Sequence, residues 1–166
     1  MLLDHKHEEN KFNDFQYQVL LPHKISEYGP ALAVADIDND GLDDFYIGGA
    51  HNFAGKLYRQ NVDGTFSEVS EDLWKADKMQ EDTGAVFFDA NGDGLLDLYV
   101  VCGGNEYRAG DPYYQDKFYQ NKGDGVFEKM AQALPEMRAS SAVVEQADYD
   151  NDGDLDLFVG GRVSPR

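Results

Sequence analysis

DIDNDGLDD, residues 36–44, decides the reading of this chain, because it returns as DANGDGLLD at 89–97 and as DYDNDGDLD at 148–156. The three copies align without a gap. Each has Asp first, Asp or Asn third, Asp fifth, Gly sixth and Asp ninth. Their starts lie 53 and 59 residues apart, and self-similarity at such intervals marks repeat architectures. A weaker repeat accompanies them, YRQNVDGTF at 58–66 and YQNKGDGVF at 119–127.

The flanks repeat as well. Short apolar runs precede the acidic segments: ALAVA (31–35), AVFF (85–88) and AVV (142–144). FYIGG (45–49), LYVVCGG (98–104) and LFVGG (157–161) follow them. Their length, β-branched and aromatic content and Gly-Gly endings predict strands. Apolar residues on both faces predict burial between two layers. Asp63-Gly64 and Asp124-Gly125 lie between strand-like runs, as hairpin turns do. One unit thus reads strand, acidic turn, strand, connection, strand, Asp-Gly turn, strand.

Four antiparallel strands per unit predict an all-β chain, a partial β-propeller of about two and a half four-stranded blades. A solenoid is the weaker alternative. The expected divisions are an N-terminal segment at 1–29, blade one at 30–82, blade two at 83–139 and a truncated blade three at 140–166. Within the first segment, Phe15-Gln16-Tyr17-Gln18-Val19 alternates as a strand of a preceding blade would. Propellers close with roughly 4–8 blades. Closure is therefore expected to draw on the remaining blades of a longer chain or on a homo-oligomer partner.

The acidic segments have the chemistry of a hard-cation site. Calcium takes about 6–8 oxygen ligands, and acidic side chains at alternate positions of a tight turn converge on one point. The expected ligands are Asp36, Asp38, Asp40, the Leu42 carbonyl and Asp44; then Asp89, Asn91, Asp93, the Leu95 carbonyl and Asp97; then Asp148, Asp150, Asp152, the Asp154 carbonyl and Asp156. Up to three Ca2+ ions are expected. Without a cation these carboxylates repel one another. Oxygen-only ligation disfavours zinc and copper, and magnesium prefers fewer protein ligands and more water. An EF-hand needs Glu at position twelve and flanking helices. Ile47, Val100 and Val159 stand there instead, within strand-like runs.

At these residues the chain resembles the FG-GAP/VCBS repeat family, whose propeller repeats also occur in integrin α-subunits. The three D-x-[DN]-x-D-G-x-x-D turns, the following Gly-Gly and the LYRQNVDGTF and FYQNKGDGVF hairpins carry the resemblance over about residues 30–161. It implies calcium in the loop between the first two strands of a blade. It also implies a secreted or surface protein engaged in adhesion or ligand binding.

Composition agrees. The net charge is −18, from 32 acidic and 14 basic residues, which argues against nucleic acid and anionic membrane surfaces. Hydrophobic residues make up 42%, enough for a core rather than a disordered acidic tail. No apolar stretch is long enough for a membrane span, and MLLDHKHEEN lacks the hydrophobic region of a signal peptide. Weak calcium sites fill outside the cytoplasm, so an extracellular, periplasmic or cell-surface location is expected.

Other features carry less. The single cysteine, Cys102, allows no intrachain disulfide and reads as a buried, inert strand residue. His5 and His7 read as part of a solvated terminal stretch. The connection EDLWKADKMQED (71–82) reads as an inter-blade link with a helical turn, Trp74 serving as a packing anchor. No nucleophile elbow, phosphate loop or zincin motif is present. The insertion at 103–116 offers Tyr107, Arg108, Tyr113 and Tyr114 as a candidate surface for a protein or carbohydrate ligand. The expected function is a calcium-binding scaffold for adhesion or ligand binding, without catalysis of its own. The alternative is the propeller part of an extracellular enzyme acting on polysaccharide.

Overall fold

The structure is a computed structural model and describes residue 3, residues 5–161 and residues 164–165. Met1, Leu2 and Asp4 of the expected first segment, and Arg162, Val163 and Arg166 of the expected third blade, lie outside the described residues. The first repeat forms β1 (Leu32–Ala35), β2 (Asp44–Ile47), β3 (Lys56–Gln60) and β4 (Phe66–Val69). A six-residue helix, α1 (Glu71–Ala76), leads to the second repeat, β5 (Glu81–Phe88), β6 (Asp97–Gly103), β7 (Lys117–Asn121) and β8 (Phe127–Lys129). The third repeat supplies β9 (Ser141–Ala147) and β10 (Asp156–Gly161). The result is two antiparallel four-stranded sheets in sequential order and one two-stranded sheet, a partial propeller of all-β class.

The turn sequence sets the register. Ala35 pairs with Asp44, Phe88 with Asp97 and Ala147 with Asp156. In each repeat the residue before the first Asp thus faces the ninth-position Asp, and the acidic segment closes the hairpin. At the Asp-Gly hairpins, Gly64 adopts φ +76° and Asp124-Gly125 adopts +52° and +72°, the left-handed backbone that tight turns of this kind require.

The sheets pack through their first strands: β5 lies against β1 on one side and β9 on the other. One core joins the first two sheets, with Ala33, Tyr46 and Leu57 meeting Phe87, Leu98, Val100, Tyr119 and Phe127 around Trp74. A second joins the last two, with Phe88, Tyr99 and Val101 meeting Val144. Gly48 after β2 and Gly103 at the end of β6 permit this closeness. A Cβ on Gly48 would lie 2.6 Å from that of Asp82, and one on Gly103 would lie 2.2 Å from the Ser141 carbonyl oxygen. The neighbouring blade occupies the space a side chain would need.

Expected burial on both faces holds for β6, which is buried along its whole length. It does not hold for β1, where Leu32 and Val34 are exposed, nor for Phe158 on β10. Among the described residues, only the middle blade has a neighbour on each side.

The expected strand at 15–19 is not formed. Asp14–Gln16 make a 3-10 turn, and no strand occurs among residues 5–31. Asp14 is the reason: its buried carboxylate accepts from Ser26 Oγ at 2.6 Å and Asn105 Nδ2 at 2.9 Å. This side-chain centre folds the segment back on itself, while Val19 and Leu20 stay in solvent. His5 and His7 are not simply solvated. Both are half-buried, His5 bonding to the Tyr58 hydroxyl and His7 to Glu9.

Buried polar groups tie the blades together. Lys117 on β7 and Asp82 on β5, each 2% exposed, form an ion pair. The other Asp82 oxygen accepts from Tyr46 Oη at 2.8 Å and Gly49 N at 3.1 Å, both in the first blade. Burial works against the Lys117 ammonium, but Asp82 beside it wins and holds the pKa above the ordinary value. Cys102 is buried and its thiol pKa is raised by that burial, as expected for an inert residue.

Asp116 gives a pH-dependent prediction. Burial pushes its carboxyl from 3.8 to about 6, even though Cys102 N and Tyr99 Oη donate to it at 2.8 Å. A folded pKa above the unfolded one means that Asp116 stabilises fully below about pH 4 and loses this contribution as pH rises through about 6. Urea midpoints of the parent and Asp116→Asn should therefore shift by about 2 kcal/mol in favour of the variant between roughly pH 4 and 7. A pH-independent difference would show that the carboxyl titrates normally.

Candidate metal centre

Each acidic turn is wired by its own first carboxylate. Asp36 accepts from Asp40 N (3.1 Å) and Gly41 N (2.8 Å). Asp89 accepts from Asp93 N (3.2 Å) and Gly94 N (2.9 Å), and Asp148 from Asp152 N (3.1 Å) and Gly153 N (3.2 Å). The fifth-position carboxylates of Asp40, Asp93 and Asp152 accept from the backbone N–H groups of Leu42, Leu95 and Asp154. The seventh-position peptide is thereby fixed in every copy. Two residues per turn take the left-handed conformation: Asn39 and Gly41, Gly92 and Gly94, Asn151 and Gly153. The Gly at position six lets the backbone turn this sharply. The Asn or Gly at position four is a further repeated signal, explained by the tolerance of these residues for positive φ.

The first and third turns bring carboxylates together. One oxygen each from Asp36, Asp38 and Asp40 lies within 4.8 Å of the others, and so does one each from Asp148, Asp150 and Asp156. The second turn forms no such acidic trio. There Asn91 replaces a carboxylate, and its Nδ2 donates to Asp93 Oδ2 at 2.9 Å. The side chain of Asp38 is mostly buried, its Oδ1 has no hydrogen-bond partner, and the nearest cation, Arg59, stands at 3.7 Å from Oδ2. An oxygen-rich turn with an orphaned carboxylate oxygen fits a hard dication.

The ninth position does more than sequence reasoning assigned to it. Asp44 accepts from Ile37 N at 3.0 Å and Gln60 N at 2.8 Å. Asp97 accepts from Ala90 N at 3.2 Å and Asn121 N at 2.8 Å. Both are fully buried, and each ties its turn to the end of the blade's third strand. Burial pushes both pKa values up and the backbone donors pull against it. In the third repeat, Asp156 accepts from Tyr149 N at 3.1 Å. Asp44 and Asp97 hold the hairpin whether or not they also reach an ion.

The turns lie side by side. Asn39 Nδ2 reaches the Gly94 carbonyl at 3.4 Å, and residues 89–92 face 153–155 across an open gap. The negative charge is concentrated at one end of the blades.

The candidate recognition loop is only partly available. Tyr114 is fully buried, and its hydroxyl donates to the Tyr107 carbonyl at 2.9 Å. Tyr107 is half-buried and bonds His51 Nδ1 and the Met79 carbonyl. Tyr107 ties the insertion to His51 and the Met79 carbonyl, while Tyr114 braces the loop from within. Arg108 and Tyr113 remain exposed.

Sequence reasoning missed the buried charges Glu81, Asp82, Asp116 and Lys117. Each stands outside the repeated turns, and no local spacing marks it.

A search of curated proteins returns no significant match. A model of the FG-GAP-like repeat matches residues 36–100 and 102–159. The matches begin at the first acidic carboxylate and run past the end of the third turn with scarcely a break, so the chain belongs to the FG-GAP-like repeat family.

Proposed function

We propose that this propeller-like scaffold binds calcium in its three acidic turns and uses the stiffened blades to present a surface to a protein or carbohydrate ligand. The supporting observation is the convergence of Asp36, Asp38 and Asp40, with the buried Asp38 Oδ1 left without a partner. Calcium would be held by these residues, by Asp89, Asn91 and Asp93, and by Asp148, Asp150 and Asp156, with the seventh-position carbonyls. It would offset carboxylate repulsion and fix the turns. Arg108 and Tyr113 are the exposed part of the insertion a ligand would meet. Among the described residues no helix is long and apolar enough to cross a membrane. An extracellular, periplasmic or cell-surface setting would keep weak sites filled. Repeats of this family generally serve as non-catalytic scaffolds, and the proposal assigns no reaction to the chain.

Melting curves test it. Extracellular calcium modules bind with dissociation constants of about 10⁻⁴–10⁻³ M, and tenfold excess over such a constant adds roughly 1.4 kcal/mol per site. Three sites add about 4 kcal/mol, a rise of roughly 10 °C for a chain of this size. Magnesium should give a smaller rise and chelator none. Asp40→Ala and Asp93→Ala should each remove about a third of the calcium effect. Variants that respond like the parent would refute the ligand assignment.

A further inference from the structure

The second blade carries a cleft of about 320 Å³ at the end away from the acidic turns. One wall is the 3-10 turn Pro112–Tyr114 of the insertion, and another is the segment after β8, with Met130 and Leu134. Lys117 and Phe118, at the start of β7, line it from the sheet. Asn121, at the other end of β7, is the residue that donates to Asp97 of the second turn. Cleft and turn therefore sit at opposite ends of one blade.

Side-chain bonds hold the walls in place. Gln115 Nε2 donates to the Pro135 carbonyl at 3.1 Å, and its Oε1 accepts from Met137 N at 2.9 Å. These bonds pin the segment after β8 to the insertion. Gln80 Nε2 donates to the Gln115 carbonyl at 2.7 Å. The exposed ring of Tyr113 packs against that of Tyr107, with centroids 4.8 Å apart, and Tyr107 is itself anchored to His51 and the Met79 carbonyl. Tyr113 is thus a braced platform. Pre-formed clefts of about 300–1,000 Å³, with apolar walls and a few fixed polar groups, are the usual form of small-molecule sites.

The polar groups of the cleft offer both halves of a hydrogen bond. Asp77 accepts from Lys129 Nζ on one oxygen and from Tyr119 Oη at 2.7 Å on the other. The Lys129 side chain is 33% exposed, and an ammonium has three donors. We propose that this cleft is a carbohydrate site that takes about one or two neutral sugar rings. The apolar face of a ring lies on Tyr113, and its hydroxyls bond Asp77 and Lys129. A hydroxyl both donates and accepts, so neighbouring hydroxyls match an ammonium beside a carboxylate. A wholly apolar ligand would strip water from this pair without replacing its bonds. An anion would meet Asp77, Asp116 and a chain of net charge −18, and a cation would meet Lys129. A folded protein partner needs about 800 Å² of surface, which a cleft of this size does not supply. The site rests on the reading of the chain as a scaffold that presents a ligand surface, and it does not depend on calcium in the turns.

Titrating the isotope-labelled chain with maltose, cellobiose, lactose and diacetylchitobiose, followed by amide NMR shifts, tests the site. At least one of these disaccharides should bind and move the signals of residues 112–118 and 129–134. Tyr113→Ala and Lys129→Met should each weaken that binding about tenfold. Tyr113 is exposed, so its variant decides the matter even if Lys129→Met fails to fold. Absence of binding by all of these sugars overturns the carbohydrate assignment. Binding that both variants retain, or that only Arg108→Ala removes, overturns the cleft while leaving the insertion as a ligand surface. Asp40→Ala and Asp93→Ala report on the turns alone, so the failure of one reading leaves the other standing.

Discussion

Replacing Trp74 by alanine is expected to cost about 3–5 kcal/mol, a large share of the roughly 5–15 kcal/mol typical of a domain. The side chain is 2% exposed, and Nε1 donates to the Val69 carbonyl at 2.8 Å. Its ring meets Tyr46 of the first blade at 5.3 Å and Tyr119 of the second at 4.9 Å. Truncation therefore opens a cavity at the seam rather than inside one sheet. The melting midpoint should fall by roughly 10 °C, and both blades should lose structure in the same transition. Trp74→Phe should fall between parent and alanine variant, since it keeps a ring but loses the bond to Val69. Circular dichroism is the appropriate readout, because Trp74 is the chain's single tryptophan. A midpoint within a degree or two of the parent would show that Trp74 does not bridge the sheets.

Removing one member of the Asp82–Lys117 pair should be comparably severe. Asp82→Ala leaves a buried ammonium with no carboxylate and strips Tyr46 Oη and Gly49 N of their acceptor. Breaking one side of a buried pair costs about 3–5 kcal/mol. Lys117→Met should cost less, because Asp82 keeps its two donors from the first blade. The double variant should be more stable than Asp82→Ala alone, since both charges then leave the interior together. Urea midpoints of the four proteins form the cycle. Additive losses would mean that the two groups do not sense each other.

What could be read from the sequence was local, and what could not was long-range. The acidic turns announced themselves because each is complete within nine residues and occurs three times. The flanking hairpins followed, since the turn alone sets Ala35 opposite Asp44 and Phe88 opposite Asp97. The Asp82–Lys117 pair spans 35 residues and has no buried counterpart among the described residues of the other repeats. Glu81 looked like one more acid in the run Gln80-Glu81-Asp82. Tyr114 sat in a Tyr-rich insertion that composition alone suggested was outward-facing, yet its hydroxyl bonds within the loop. The alternation at 15–19 imitated a strand, but a strand needs a neighbour to accept its backbone. Ser26 and Asn105 engage Asp14 instead.

The location of the two hydrophobic cores bears on where the chain tolerates being opened. Each core draws side chains from adjacent repeats, so the junctions between repeats are the poorest places for a protease nick, a grafted peptide or new termini. The hairpin tips at Val62–Gly64 and Asp124–Val126, where Val62 and Val126 already face solvent, are the better ones. The repeat seen in the sequence is thus not the unit of packing, because each core spans two neighbouring repeats.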